Sequence, residues 1–286
     1  ISGNKAAVVT GKKRAAVQTH TLSDWPDAFE RPSEPTAVLG LPGLKEQISL
    51  TEFAIPQEAS KFVVNVSKVE STGEVLRLVA TDGVRLAISE SKQALAVFSL
   101  LLPKTATNHI KKLEGGVSSN TVTILESEAG FYFETEAEIL VVTRAGGQFP
   151  PYERILPKSA ATEAVIEKAP FDEAVKWANG SADVKTPIVK FTATAGALNI
   201  AAESTATDNA TAGDGLFVNV AGDEINAQVT GPDASFALNG KVLLEFSAVA
   251  TGPITIKIGN AAQQQPVEFV ANGGLYRYLQ MPAVKA

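Results

Sequence analysis

The sequence predicts an α+β protein built from tandem units, each with two helices packed on antiparallel sheets. Three observations carry this. Short runs alternate apolar and polar residues with a period of two, as in Leu76, Leu78 and Ala80 against Arg77 and Val79, the pattern of a half-buried strand. Four longer stretches instead place apolar residues at helical spacing, such as Leu44 with Ile48, and Phe171 with Val175 and Ala178. The order strand, helix, strands, helix, strands then occurs twice along the chain, which marks a repeat.

Composition sets the outer bounds. The 286 residues, 45% hydrophobic and 20% charged, describe a folded globular protein long enough for more than one domain. No apolar run reaches membrane-spanning length, so no bilayer crossing is expected. Cysteine is absent, which excludes disulfides and thiolate metal sites and agrees with a reducing compartment. The net charge of -6 argues against a surface that grips nucleic acid everywhere, while leaving room for a local basic face. The first residue is Ile1, so the chain is expected to begin inside a longer gene product or behind a removed segment.

Residues 5–10 and 14–21 read as short strands around Gly11 to Lys13. LSDWPDAF then makes a turn, and the acidic, Pro-containing stretch from Glu30 to Pro35 reads as a linker. The first complete unit opens with a strand at Ala37–Leu39 and a helix from Leu41 to Phe53. Strands are expected at 62–69 and through the hairpin 76–88. In that hairpin Asp82-Gly83 is read as a two-residue turn with both residues at positive φ. A strand at 97–102 leads into a helix from Pro103-Lys104 to Leu113, since Pro suits a helix start and Gly115-Gly116 a helix end. Strands at 121–126, 130–134 and 139–144 follow, and GGQFPPYERILP closes the unit.

The second unit repeats the order. A strand at 164–166 precedes a helix at 171–178. Strands are read at 188–193 and 197–202, and less distinctly at 215–220 and 224–229. A helix from Asn239 to Ala250 is followed by strands at 254–258, 266–269 and 275–280. VQTHTLSDWPDAF also resembles VVTRAGGQFPPY, so residues 1–35 read as the tail of an earlier copy whose front is not in this sequence.

The chemistry-bearing motifs are mostly missing. His20 and His109 lie far apart, without metal-ligand spacing. There is no phosphate-binding loop and no serine nucleophile motif. Glu126, Glu128, Glu134, Glu136 and Glu138 are read as a solvated sheet face rather than an acid–base pair. Three glycosylation tripeptides, at Asn65, Asn179 and Asn209, carry little weight. No enzyme is expected, and no cofactor or metal. Each candidate helix carries a lysine (Lys45, Lys104, Lys111 and Lys112, Lys176, Lys241), which points to helices lining a shared positive surface in an otherwise acidic chain.

Four motifs together, LRLVATDGVRLAI, LLPK opening a helix, GGQFPPYERILP and YLQMP, resemble the bacterial DNA polymerase III beta subunits, the sliding clamps. The order and approximate spacing match, over nearly the whole chain. The resemblance implies the DNA-clamp fold: three similar domains per subunit, with two subunits joined head to tail in a homodimeric ring. Helices would line the hole and sheets the outside. Residues 1–35 would be the end of the first domain, 36–157 the second and 158–286 the third. The family's ring contact joins first and third domains, so a chain lacking the front of the first is expected not to close the usual ring.

The implied function is a non-catalytic, cytoplasmic processivity scaffold with double-stranded DNA, the DNA polymerase III catalytic subunit and the clamp loader as partners. DNA would be held by enclosure, through weak phosphate contacts. Lys104, Lys111 and Lys112 would face it, with Lys61 and Phe62 at a DNA-touching loop. Carried over position by position, a hydrophobic pocket for a linear partner motif would be lined by Val64, Thr81, Gly83, Arg85, Leu86, Pro150, Arg154, Ile155, Val242, Leu279, Met281 and Pro282. Val84 stands where the family usually has His, Val242 where an aromatic is common, and MPAVKA where Met-Pro-Met-Arg is usual, so a shifted motif preference is expected. The alternative reading is a clamp-like, β-rich binding protein that no longer closes a ring on DNA.

Overall fold

A computed structural model describes residues 5–18, 31–58, 65–182, 187–203, 220–259 and 265–283. The turn LSDWPDAF, His20, the tripeptide at Asn209 and most of the strand expected at 215–220 lie outside the described residues.

A separate ribbon comes first, β1 (Lys5–Thr10) against β2 (Lys13–Gln18), turning at Gly11 with φ 59. The first unit runs β3 (Ala37–Gly40), α1 (Leu41–Thr51) with a 3-10 turn at Glu52–Ala54, β4 (Val66–Ser71), β5 (Val75–Thr81), β6 (Arg85–Lys92) and β7 (Phe98–Pro103). It ends with α2 (Lys104–Ile110), β8 (Thr121–Glu126), β9 (Gly130–Glu134) and β10 (Ile139–Thr143). A linker with a 3-10 turn at Tyr152–Ile155 leads to the second unit. That unit runs β11 (Thr162–Ile166), α3 (Lys168–Ser181), β12 (Ile188–Thr194), β13 (Ala197–Glu203), β14 (Val220–Thr230) and β15 (Ala234–Asn239). It closes with α4 (Gly240–Val249), β16 (Ile254–Ile258), β17 (Val267–Ala271) and β18 (Tyr276–Gln280).

The strand β15 is absent from the sequence reading, although Phe236 and Leu238 alternate and are both buried. With it, the two units have the same order of elements. The sheets correspond too: β7-β4-β5-β6 and β3-β8-β9-β10 in the first, β15-β12-β13-β14 and β11-β16-β17-β18 in the second. Helix starts follow local chemistry. Pro42 sits in the first turn of α1, where its missing N–H costs nothing. Asn239 caps α4, its Oδ1 accepting from Val242 N at 3.1 Å. Helix α3 begins three residues earlier and ends three later than the apolar spacing predicts, carrying Pro170 in its first turn and Gly180 in its last.

One junction joins the units. β18 pairs antiparallel with β6, with Leu279 opposite Leu86, and this fuses the sheets into one of twelve strands. On the helix side of that sheet, Phe246 packs against Phe269, Tyr276 and Tyr278, and Phe269 against Tyr278, at 4.8–6.1 Å ring centre to ring centre. On the other face a smaller cluster joins Val79, Leu86, Ile88 and Leu279 to Tyr152 of the linker.

The β5–β6 hairpin corrects the sequence reading twice. Thr81 pairs with Leu86, leaving a four-residue loop, and only Gly83 has positive φ, at 89. Side chains set this conformation. Asp82 Oδ1 accepts from Val84 N and Arg85 N, both at 3.0 Å, while Thr81 Oγ1 donates to the Arg85 carbonyl and accepts from Gly83 N. The hairpin is also not half-wet. Leu76, Leu78 and Ala80 face the helices, and Leu86 and Ile88 face the linker, all fully or nearly fully buried.

Candidate functional site

The pleat sends successive side chains of β6 and β18 to opposite faces, and the site is best described one face at a time. On the outer face the linker Phe149–Leu156 lies across the strands, anchored by Tyr152. Tyr152 OH donates to Glu70 Oε1 at 2.6 Å and accepts from Arg77 Nη1 at 3.1 Å, and Lys68 Nζ stands 5.7 Å from its ring centre. Arg77 Nε also meets Glu90 at 2.7 Å. Burial and the bond to Glu70 push the Tyr152 phenol well above its ordinary range. Burial works against the Glu70 charge, but the bonds from Lys68 and Tyr152 prevail and hold its carboxyl below the usual value. The linker is therefore fixed, and it forms one wall of a cavity.

That cavity, about 390 Å³, is open to solvent and lined by Thr81, Gly83, Arg85, Leu86, Pro150, Arg154, Ile155, Leu279 and Met281, all expected from the sequence. Val84, Pro151, Tyr152 and Pro266 complete it. Val84 was read as a departure from the family pattern, whereas Pro151 and Tyr152 were legible as neighbours of Pro150 in a single linker motif. Pro266 carried no signal, because it reaches the cavity from the far end of the second unit. Met281 is held by its N–H, which donates to the Val84 carbonyl at 2.9 Å and ties the chain's last strand to the loop of the first-unit hairpin. The surface is apolar and partly exposed: Ile155 is 48% accessible, Met281 40% and Val84 53%.

Two expected residues do not line this cavity. Val242 lies in the first turn of α4, where its carbonyl accepts from Tyr278 OH at 3.4 Å. Tyr278 and Leu279 are adjacent on one strand, so the Val242 side of the sheet is opposite the Leu279 side. Pro282 follows Met281 but is not among the lining residues; the next N–H, of Ala283, donates to the Ala237 carbonyl and turns the chain toward β15. Val64 lies outside the described residues.

Beside the aromatic cluster, the helix face of the junction carries a polar network with Arg85 at its centre. The Arg85 backbone is in the loop that rims the cavity, but its guanidinium is engaged elsewhere. Nε donates to Asp82 Oδ2 at 2.9 Å, Nη2 to the Phe53 carbonyl at 2.7 Å, and Nη1 pairs with Glu245 of α4. The guanidinium also stacks 5.2 Å from the Phe53 ring centre. Burial opposes its charge, yet these partners raise its affinity for the proton above the ordinary Arg value. Arg85 therefore bonds two elements of the first unit to a helix of the second. Beside it, Gln280 Nε2 donates to the Asn239 carbonyl and Gln280 Oε1 accepts from Tyr278 OH.

The helix lysines are only partly free. Lys45 Nζ donates to the Leu113 carbonyl, Lys104 Nζ donates to the Ile55 carbonyl at 3.0 Å, and Lys111 pairs with Glu52. Lys112, Lys176 and Lys241 are exposed. Lys61 and Phe62 lie outside the described residues. The acidic cluster is not merely solvated: Glu126 pairs with Arg144 at 2.8 Å, Glu134 with Arg31, and Glu136 and Glu138 accept from backbone N–H groups of the loop after α2. Among the described residues no group of three or more Asp, Glu or His is placed to hold a metal, and no helix is long and apolar enough to cross a membrane.

Comparison with known proteins places this geometry. Residues 41–151 match the model of a family described as DNA polymerase III beta subunit, central domain. The Beta sliding clamp of Proteus mirabilis is 23% identical over 285 residues, 99% of this chain and 74% of that protein. That of Escherichia coli K12 is 28% identical over 166 residues, 56% of this chain and 44% of the relative's length. The crystal structure of the DNA polymerase III subunit beta from Pseudomonas aeruginosa superposes with a TM-score of 0.85 at 21% identity, covering 99% of this chain and 76% of that one.

Proposed function

Because this chain belongs to the DNA polymerase III beta subunit family, the sliding clamps, we propose that it tethers a polymerase to double-stranded DNA by docking a short linear motif in the cavity beside β6 and β18. The family is a non-catalytic processivity factor, so the chain's work is positional. On this reading residues 1–35 end one clamp domain, 36–157 form a second and 158–286 a third. On the family pattern, a subunit with a complete first domain acts in the cytoplasm as part of a ring around DNA, with the polymerase catalytic subunit and the clamp loader as partners. Lys112, with Lys104 and Lys111 beside it, lies on the DNA side.

The observation that carries the docking reading is the 390 Å³ apolar cavity beside the β6–β18 pairing, where the two units share a sheet. Its floor is Leu86 and Leu279, and its rim is Ile155, Met281 and Val84. Burying two or three peptide side chains there contributes about 1.5–3 kcal/mol each. Ordering costs remove part of that, which leaves the modest affinity that exchanging partners need. The test is titration of a fluorescent peptide carrying the polymerase's apolar linear motif. Micromolar binding supports the reading; no binding at several hundred micromolar overturns the pocket assignment.

A further inference from the structure

The apolar cavity does not end at Met281. A second cavity of about 390 Å³ continues from it, sharing Arg154, Ile155, Pro266 and Met281, and then following Leu156, Pro157, Lys158 and Ser159. A third, of about 210 Å³, shares Pro157, Lys158 and Ser159 with the second and is lined further by Lys257 and Arg277, against Glu163 and Glu268. The three form one track along the linker.

The character of the track changes along its length. The first cavity is mostly apolar, with Arg154 at the end it shares with the second. No acidic side chain lines the second, which presents Arg154 and Lys158. Both are exposed, and neither side chain has an ion pair or hydrogen bond among the described residues. In the third, Arg277 is matched by the buried carboxylate of Glu268 at 2.5 Å, while Lys257 has no ion-pair partner among the described residues. On a chain of net charge -6, unpaired cations beside an apolar groove are a local exception. They attract a negative group, and the continuity with the apolar cavity says where that group is attached.

We infer that the docking peptide carries an acidic residue just outside its apolar anchor, and that this carboxylate sits in the second cavity between Arg154 and Lys158. The apolar part supplies affinity, and the acidic flank fixes which way along the linker the peptide runs. This inference rests on the docking function proposed above.

The experiment uses the full chain and four fluorescent peptides with the same apolar core: glutamates on the N-terminal flank, on the C-terminal flank, on neither (glutamines instead), and a control with the core residues changed to serine. One glutamate-flanked peptide is expected to bind about three- to tenfold more tightly than the glutamine peptide at 50 mM salt, with the difference fading by 0.5 M. Lys158→Glu should abolish that preference while leaving the glutamine peptide's affinity within twofold. Equal binding of all three core peptides, or a glutamate preference that survives both Lys158→Glu and Arg154→Glu, overturns the inference and leaves the docking function standing. Failure of every core peptide to bind better than the serine control overturns both.

Discussion

The two faces of the β6–β18 junction are built from the same ten or so residues and do different work. Outward-pointing Leu86 and Leu279 are buried under the cavity floor, while Val84, Ile155 and Met281 on its rim leave apolar surface uncovered beside the linker. Inward, Arg85, Asp82, Glu245, Tyr278 and Gln280 make a network whose donors and acceptors meet one another. Uncovered apolar surface is a standing offer of binding energy to a partner. A satisfied polar network offers a partner little, but resists separation, because removing one member leaves the others desolvated and unpaired. Strand pleating thus separates recognition from cohesion within one pair of strands.

The sharpest way to break that division is to charge the outer rim. Ile155→Asp and Met281→Asp place a carboxylate where an apolar peptide side chain would bury, at sites already 48% and 40% exposed. Each should weaken the motif peptide by about 2–3 kcal/mol, roughly 30- to 150-fold. Each should leave the urea unfolding midpoint nearly unchanged, since substitutions at exposed positions rarely cost more than about 0.5 kcal/mol. A parallel loss of folding would mean that the rim holds the units together and the division fails.

The complementary change is Arg85→Met, which keeps apolar contact with Phe53 and removes the charge. It leaves the Phe53 carbonyl, Asp82 Oδ2 and the Glu245 carboxylate without the guanidinium, while Asp82 Oδ1 keeps its backbone donors. Stability should fall by about 1–3 kcal/mol, moderated because Glu245 is partly in water. Peptide affinity should stay within about threefold, because the guanidinium points to the helix side. If affinity collapses while denaturant unfolding is unchanged, Arg85 belongs to the docking face and the two-face picture is wrong.

The linker anchor gives a pH signature on the outer side. Glu70 has a folded pKa below its ordinary value of 4.5, because Lys68 and Tyr152 bond to its ionised form and outweigh its burial. A depressed folded value stabilises the fold fully above the unfolded pKa, and that contribution is lost as pH falls through the lower, folded value. Unfolding midpoints should therefore decline as pH drops below about 4.5. Tyr152→Phe, which removes one of those donors, should lower stability by about 1 kcal/mol near neutrality and make the acid decline shallower. An unchanged acid profile in Tyr152→Phe would show that the phenol does not act on Glu70.

How much of this was legible in the sequence depended on the range of the forces involved. Element order and the repeat follow from alternation and helical spacing, whereas nine of the cavity's lining residues came from the family resemblance that four local motifs carry. What failed was long-range or side-chain specific. Val242 was placed on the docking face because motif position says nothing of which side of β18 the start of α4 packs against. The Asp82-Gly83 turn was read from its dipeptide, but Thr81 and Asp82 side chains capture the loop's backbone and lengthen it. Strand β15 has clear alternation at Phe236 and Leu238, and is found once its pairing with β12 is seen. Arg85 does line the cavity as expected, but nothing local reveals that Glu245, 160 residues away, claims its guanidinium.

The same reasoning separates the lysines on the helix side, where the smallest effect is expected. Lys104 spends its ammonium on the Ile55 carbonyl and Lys111 on Glu52, whereas Lys112 is exposed one residue further on. A phosphate can recruit Lys112 without breaking a protein contact, but must compete for the other two. In low-salt binding to a DNA duplex, Lys112→Ala should reduce the slope of log affinity against log salt by about one charge, or 0.9. Lys104→Ala should leave that slope unchanged and show its effect in unfolding instead, through the buried carbonyl it abandons. The reverse assignment, with Lys104 controlling the salt slope and Lys112 silent, would mean that the helix side gives up its internal bonds when DNA arrives. Cohesion and recognition would then share a face after all.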